Sequence, residues 1–255
     1  MPKYFFPTYG WVKDGRDKRD YPYVPPSEIA GKLPPKADLR PIFPRVYNQG
    51  NLNSCTANAI AAALEFDEMK QKVRRPFIPS RLFIYYNERA MENQVEKDSG
   101  AQIRDGIKSV AKLGCCKEDF WPYLEKNLKV HPPARCFRQG LKYTALVYQR
   151  LGHNLIHLKS CIASGFPFIF GIKVYSSFEE SRVRKTGHLE MPEESEKLVG
   201  KHAVVAAGYQ DSRKWFIVRN SWGEKWGIRG YFTIPYEYLL DRSLSADIWT
   251  IRVIR

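Results

Sequence analysis

Hydrophobic and polar positions follow two different patterns along the chain, and the change falls near its middle. In the first half strong helix formers, a candidate cap at Ser80 and breaks at proline or glycine predict helices over 55 to about 71, Ser80 to Glu92 and Ile103 to Leu113. In the second half short β-rich runs predict strands over Phe168–Tyr175, His202–Tyr209, Lys214–Asn220 and Gly230–Ile234. A helical half followed by a strand-rich half predicts an α+β architecture with a ligand-binding groove at the junction.

The first 36 residues fit neither pattern, because they are rich in proline, tyrosine and charge. Proline at this density blocks regular helix. The aromatic side chains favour an extended strap docked across the main body over a disordered tail. The chain is therefore predicted to contain an N-terminal strap over 1–36, a mainly helical lobe over 37–138 and a mainly β lobe over 139–255.

Composition and charge limit the classes of function. The chain has 255 residues, 44% hydrophobic content and a net charge of +14, as expected of one globular domain or two small ones. No run of five or six like charges appears, and the densest basic cluster is Lys70, Lys72, Arg74 and Arg75. A solvated basic face is thus favoured over a nucleic-acid site, although non-specific binding of nucleic acid stays open.

The N-terminus and the rest of the chain lack the apolar stretches that signal peptides and membrane spans need. We therefore expect no membrane partner, and a location inside a cell or packaged in a particle. Five cysteines occur without a C-x-x-C pair, so neither a zinc site nor another cofactor is expected. Apart from Cys55, the cysteines are expected to be mostly reduced: Cys115, Cys116, Cys136 and Cys161.

Cys55 is the first candidate for chemistry, because it falls in the first turn of a predicted helix. Asn53 or Ser54 can cap that helix through a side-chain oxygen. The partial positive charge at a helix N-terminus favours a thiolate, which is the nucleophilic form of cysteine. Gln49 lies just before a glycine turn, where its amide can aim a donor at an oxyanion beside Cys55. Taken alone, Cys55 also fits a buried structural cysteine.

His202 and Asn220 complete a candidate constellation. His202 opens a predicted strand, and Asn220 ends the next one. Two neighbouring strands can set Asn220 against one imidazole nitrogen while the other nitrogen faces Cys55. His153 and His157 lack the glutamate of a zinc-protease helix, so packing roles are favoured for them.

These motifs together resemble those of the papain-like cysteine peptidases, of the short-prosegment type found in bacteria, archaea and large viruses. The resemblance runs from about Leu33 to the C-terminus and rests on three stretches: Gln49-Gly50 with Ser54-Cys55, Gly200 to Val204, and Asn220 to Tyr231. It implies a two-domain fold, with the active site in the cleft between a helical lobe and a β-barrel-like lobe.

The resemblance also implies roles for individual residues. Cys55 is implied as nucleophile, His202 as general acid/base and Asn220 as the residue that orients the ring. Gln49 and the backbone N–H of Cys55 are implied to form the oxyanion hole. The implied substrate-binding residues are Ser99 and Gly100 for the peptide backbone, Ala101 and Ala203 at the border of the S2 pocket, Trp222 on the primed side, and Lys201 without a specified subsite.

Two positions depart from the family pattern. Leu52 stands where a disulfide-forming cysteine is usual, and Thr56 replaces the aromatic residue that normally follows the nucleophile. The expected function is a cysteine endopeptidase acting on proteins or peptides through a thioester acyl-enzyme, a zymogen held latent by its N-terminal segment. The alternatives are acyl transfer to an amine by the same residues, and a basic nucleic-acid-binding protein without thiol reactivity.

Overall fold

The structure is a computed structural model that describes residues 9–73, 76–144 and 146–253. In this part of the chain the helices are α1 Ser27–Ala30, α2 Cys55–Lys70, α3 Arg81–Met91, α4 Ile103–Leu113, α5 Ala134–Gly140, α6 Leu155–Ala163, α7 Ser181–Thr186 and α8 Tyr236–Leu240. The strands are β1 Trp11–Val12, β2 Lys36–Asp38, β3 Ala101–Gln102, β4 Leu146–Arg150, β5 Phe168–Tyr175, β6 Leu198–Gln210, β7 Trp215–Arg219, β8 Tyr231–Pro235 and β9 Ser245–Val253.

The longer strands form one antiparallel sheet. Its order is β4-β9-β5-β6-β7-β8, and β2 pairs with β6 beside that path. Within the described residues β4 and β8 do not pair with each other, so the sheet is open rather than a closed barrel. Helices precede most of the sheet in the chain, and the predicted α+β class is confirmed.

Most predicted elements lie close to their predicted positions. The bounds of α4 and β5 are those expected from the sequence, and Gly114 ends α4 with a φ of 69°. Ser80 caps α3 as expected, because its side chain accepts a hydrogen bond from the backbone N–H of Phe83. The predicted strands over 202–209, 214–220 and 230–234 correspond to β6, β7 and β8 with shifted ends. No strand was predicted at β4 or β9.

The predicted side-chain cap of α2 is wrong. Ser54 is the N-cap residue, but its side chain makes no capping hydrogen bond. Its hydroxyl instead bonds the hydroxyl of Tyr123 and accepts from Asn58 Nδ2. Asn53 donates its side-chain amide to the carbonyl of Asp98 at 2.6 Å. Both side chains therefore tie the loop before α2 to neighbouring segments.

Helix α2 is the central element of the helical part. Its residues from Cys55 to Glu68 are all buried, and it packs against β6 and β9 as well as α3 and α4. Such close approach from all sides needs small side chains. The helix supplies them at Ala57, Ala59, Ala61, Ala62 and Ala63. The N-terminus of α2 consequently lies against β6, an inner strand of the sheet.

The N-terminal strap lies on the body of the protein from residue 9 onward. Strand β1 pairs in parallel with β3, and the carbonyl of Gly10 accepts from the N–H of Ala101 at 2.8 Å. Further along, Asp20 forms ion pairs with Arg104 at 2.6 Å and Arg150 at 2.7 Å. Residues of this segment from 9 onward thus make backbone hydrogen bonds and ion pairs with the body, and residues 1–8 lie outside the described part.

Candidate active site

Cys55 begins α2 and is fully buried. Its sulfur accepts a hydrogen bond from the backbone N–H of Ala203 on β6 at 3.4 Å. The backbone N–H groups of Gly10 and Thr56 also act on this sulfur and lower the pKa of its thiol. The sulfur therefore lies where the start of α2, the strand that carries His202, and the strap meet.

Burial decides the protonation of Cys55 in this state. Desolvation raises the pKa of its thiol to about 12, although the three backbone N–H groups act to lower it. The expectation of a thiolate at this helix terminus is thus wrong while the strap is docked. The loss of hydration on burial outweighs the backbone N–H groups that favour the charged sulfur.

His202 and Asn220 are in direct contact. His202 lies within β6 rather than at its start, and its Nε2 is 2.8 Å from Asn220 Oδ1. The same Oδ1 accepts from the backbone N–H of Ser221 at 2.8 Å, which identifies it as the amide oxygen. Nε2 therefore carries the ring proton and donates it to Asn220.

The other ring nitrogen of His202 is left as an acceptor. Nδ1 is buried and has no hydrogen-bond partner in the part of the chain that the structure describes. Burial lowers the pKa of His202 to about 4, and the bond to Asn220 acts in the opposite direction. With the strap docked, a neutral imidazole thus faces the same buried region as a neutral thiol.

Two aromatic rings enclose the imidazole. The ring of Trp222 lies 5.0 Å from that of His202, and the ring of Tyr9 approaches edge-on at 5.8 Å. Tyr9 donates its hydroxyl hydrogen to Glu179 at 2.6 Å. Trp222 belongs to the body and Tyr9 to the strap, so part of the cover over His202 comes from the N-terminal segment.

Gln49 is fully buried beside the loop that follows Asn220. Its side-chain Nε2 donates to the carbonyl of Leu52 at 2.9 Å, and its Oε1 accepts from the hydroxyl of Ser221 at 2.6 Å. Its backbone N–H donates to the carbonyl of Ser221 at 2.8 Å. These bonds fix the amide between the loop before α2 and the strand end that carries Asn220.

The strap occupies the positions expected to contact substrate. Gly100 has a φ of 74° and donates its N–H to the hydroxyl of Tyr85, while the hydroxyl of Ser99 bonds the carbonyl of Gly100. The next N–H, that of Ala101, is taken by the carbonyl of Gly10. The backbone hydrogen bond to this chain's own N-terminal segment is thus made by Ala101, the residue that follows the predicted backbone-binding pair Ser99 and Gly100.

Ala203, Lys201 and Trp222 complete the expected set. Ala203 contacts the Cys55 sulfur through its backbone, as described above. Lys201 is exposed on the neighbouring stretch of β6 and lines a small cavity with Lys13 of the strap. The structure places all the predicted site residues around one region, with the substrate-binding ones along the strap.

Sequence reasoning missed the strap residues that enter the site, Tyr9, Gly10 and Trp11. Gly10 approaches the loop before α2 so closely that a Cβ there would lie 1.7 Å from the carbonyl oxygen of Asn53. A glycine between two aromatic residues is the signal that was available in the sequence. It marks close backbone approach flanked by side chains that fill pockets.

A pair of buried carboxyl groups anchors the strap further along. Asp14 donates its backbone N–H to Asp247 Oδ2 at 2.7 Å, and its own carboxyl accepts from the indole N–H of Trp249 at 2.9 Å. Burial, and then the charge of Asp247, raises the pKa of Asp14 to about 7. Ionised Asp14 is thus disfavoured when docked, so its stabilising contribution is complete below about pH 4 and is lost as the pH rises through about 7.

Asp14→Asn should remove this pH dependence. The quantity compared is the Tm of the variant minus the Tm of the parent chain. This difference is expected to be larger at about pH 8 than at about pH 5, by about 2–4 °C for each kcal/mol of repulsion relieved. Asp17→Asn is the matched control, since the pKa of Asp17 is lowered by hydrogen bonds to Arg19 and Lys108. The Tm values are measured by calorimetry. A Tm difference between the Asp14→Asn chain and its parent that is equal at both pH values would contradict the account.

Several other expectations concern absences. Within residues 9–73, 76–144 and 146–253, no group of three or more His, Cys, Asp and Glu side chains could hold a metal ion. No helix in those same ranges is long and apolar enough to cross a membrane. All five cysteines are free and buried in this structure. Of the basic cluster, Lys70 donates to the carbonyl of Gly165, while Arg74 and Arg75 lie outside the described residues.

Comparison with known proteins identifies relatives across the whole described chain. A peptidase C1-like protein of Acanthamoeba polyphaga mimivirus is 41% identical, over 97% of this chain and 87% of that protein. Bovine pro-cathepsin H is 26% identical over 80% of this chain, which spans 60% of the length of that relative. The crystal structure of xylellain, a cysteine protease from Xylella fastidiosa, superposes with a TM-score of 0.92 at 42% identity, covering 97% of this chain and 96% of that one.

More distant structures share the fold. Procathepsin B from Trypanosoma congolense superposes with a TM-score of 0.73 at 15% identity, over 96% of this chain and 85% of that one. The sequence model described as papain family cysteine protease matches residues 33–239. That match covers both the segment with Cys55 and the strands with His202 and Asn220. The chain is a member of the papain family of cysteine proteases.

Proposed function

We propose that this cysteine peptidase is an endopeptidase that uses Cys55, His202 and Asn220 as a catalytic triad. The observation that carries the proposal is the pairing of His202 Nε2 with Asn220 Oδ1, which leaves Nδ1 as a buried acceptor beside the strand residue that contacts the Cys55 sulfur. In this scheme Nδ1 takes the thiol proton, and Asn220 holds the ring and its tautomer.

The reaction proceeds in two stages. The Cys55 sulfur attacks the scissile carbonyl carbon, and His202 passes the proton to the leaving amine as the thioester forms. Water, deprotonated by His202, then attacks the thioester and releases Cys55 and the acid product. Gln49 Nε2 and the backbone N–H of Cys55 are the donors assigned to the oxyanion, and the bonds of Gln49 to Ser221 keep its amide at the site.

We further propose that the strap holds the enzyme latent. The N–H of Gly10 faces the Cys55 sulfur, and the carbonyl of Gly10 takes the N–H of Ala101. A strap bound in this arrangement occupies the space beside the nucleophile that a substrate needs. It also keeps both reacting groups neutral, because it excludes water from them.

Covalent labelling tests the assignment of the nucleophile. The full-length Gly10→Ala chain, in which the added Cβ opposes docking of the strap, is incubated with a peptidyl epoxide and digested for mass spectrometry. One adduct is expected, at Cys55 and at none of the other four cysteines. Two outcomes would refute the proposed mechanism. In the first, the chain hydrolyses peptides but is never labelled at Cys55; in the second, labelling of a different residue abolishes activity.

A further inference from the structure

The side chain of Trp11 fills a pocket in the sheet beside the active site. Trp11 is buried at 5% exposure, and a Cβ on Gly171 would lie 2.0 Å from its indole ring. Gly171 has no left-handed φ, so the backbone of β5 does not itself require glycine. The missing side chain is what makes room for the indole.

The neighbours of Gly171 extend this space. Gly171 is paired with Ala203 on β6 and with Ala246 on β9. Side chains that are directly opposite on adjacent strands share a face of the sheet. Three small residues in a row therefore form the floor on which the ring of Trp11 lies, and we call this space the Trp11 pocket.

The Trp11 pocket has one polar end, formed by Asp247. Its Oδ2 accepts from the indole N–H of Trp11 at 3.1 Å and from the backbone N–H of Asp14 at 2.7 Å. Its side chain is fully buried. When the strap leaves, Oδ2 loses both strap donors, and a ligand that covers the pocket again without supplying a donor buries this acceptor unpaired, which is costly. A ligand that supplies an N–H at this point is accordingly favoured over one that does not.

The charges around the pocket argue against a cationic ligand. Asp247 Oδ1 is already paired with the guanidinium of Arg150 at 3.1 Å. A cavity of about 50 Å³ beside Trp11 is lined by Lys173, Lys201 and Arg242 of the body. A lysine or arginine side chain entering here meets positive charge on several sides, whereas a neutral indole donates its N–H without that repulsion.

We propose that, once the strap has left, the Trp11 pocket binds a tryptophan side chain of the substrate and that Gly171 and Asp247 make the enzyme select it. The strap residue Trp11 thus shows how the preferred side chain is held. The proposal rests on the peptidase function proposed above. Ala203 forms part of the floor of this pocket and Ala101 pairs with Trp11, so we assign it to the S2 pocket expected from the sequence.

The test uses the full-length Gly10→Ala chain and a peptide library randomised around the scissile bond. Tryptophan is expected to be the preferred residue at one position, with arginine and lysine among the poorest. In matched peptides kcat/KM for tryptophan should exceed that for phenylalanine by about 10-fold or more, since hydrogen bonds to charged groups are strong.

Two further substitutions examine the pocket itself. In the Gly10→Ala chain, Gly171→Ala should reduce the ratio of kcat/KM for tryptophan over alanine peptides by about 10-fold or more, because the new Cβ fills the space of the ring. Asp247→Leu should bring the ratio for tryptophan over phenylalanine close to unity. Arg150 keeps Asp20 as a partner in that variant.

The outcomes separate this proposal from the proposed function. Hydrolysis of many peptides without a preference for tryptophan, or a preference unchanged by Gly171→Ala, overturns the proposed selectivity and leaves the peptidase intact. A preference for arginine overturns the charge argument and with it the choice of tryptophan. A Gly10→Ala chain that is folded, accessible at Cys55 and inactive on every peptide overturns both.

Discussion

Replacing Cys55 with alanine is expected to lower kcat/KM for peptide hydrolysis by about 10⁴-fold or more in the full-length Gly10→Ala chain. The sulfur is the only atom in the proposed scheme that forms a covalent bond to the substrate. Alanine keeps the start of α2, where the buried neighbours are small, and removes the nucleophile alone. The measurement is steady-state hydrolysis of a fluorogenic peptide.

Cys161→Ala is the matched control for this substitution. Cys161 is also fully buried and free, but it lies in α6, where its thiol bonds the carbonyl of Phe166. It should retain activity close to that of the parent chain. Equal activity in the Cys55→Ala chain and its parent would remove Cys55 from the mechanism, whatever the control shows.

Gly10→Ala alone is expected to raise the activity of the full-length chain toward short peptides. An added Cβ would lie 1.7 Å from the carbonyl oxygen of Asn53, whose own N–H is held by the carboxylate of Asp98. The loop is thus anchored and the strap must move. Overpacking of this kind costs about 1–3 kcal/mol, which corresponds to a 5- to 150-fold shift in the docking equilibrium and a similar gain in rate.

Gly15→Ala is the control within the same strap. A Cβ at Gly15 meets nothing within 4 Å. Gly15→Ala therefore makes the same glycine-to-alanine change in the strap as Gly10→Ala, but it does not disturb docking of the strap. Its rate should match that of the unmodified chain. If Gly10→Ala makes Cys55 accessible to a small alkylating reagent while the hydrolysis rate stays at the parent value, the strap is not what keeps the enzyme latent.

The sequence predicted the elements whose signals are local. Helix α4 has an apolar face and ends at a glycine that adopts a positive φ, and β5 is a continuous apolar run. Strand β9 was missed because Asp247 interrupts its apolar run with a φ of 55°. That carboxylate is tolerated only through donors from the strap and from Arg150, which no local pattern reveals.

The candidate site shows the same contrast between features with local sequence signals and features that depend on tertiary contacts. Cys55, His202 and Asn220 were predicted from motifs: Cys55 begins α2, Asn220 directly follows β7, and His202 lies within β6. The expected thiolate and the expected side-chain caps of α2 were wrong because both depend on tertiary contacts. Burial under Tyr9 and Gly10 sets the charge of the site, and these residues are more than 40 positions away from Cys55 in the sequence.

The pH dependence of alkylation at Cys55 tests the central claim most directly, namely that the sulfur and the imidazole of His202 act as one proton-sharing unit. In the full-length Gly10→Ala chain, the rate of reaction with iodoacetamide should rise with increasing pH. The inflection of this curve should lie well below the ordinary cysteine pKa of about 8.5. His202→Ala should move that inflection to about 8.5 or higher, because the imidazolium that stabilises the thiolate is gone. The same inflection in both chains would contradict the account.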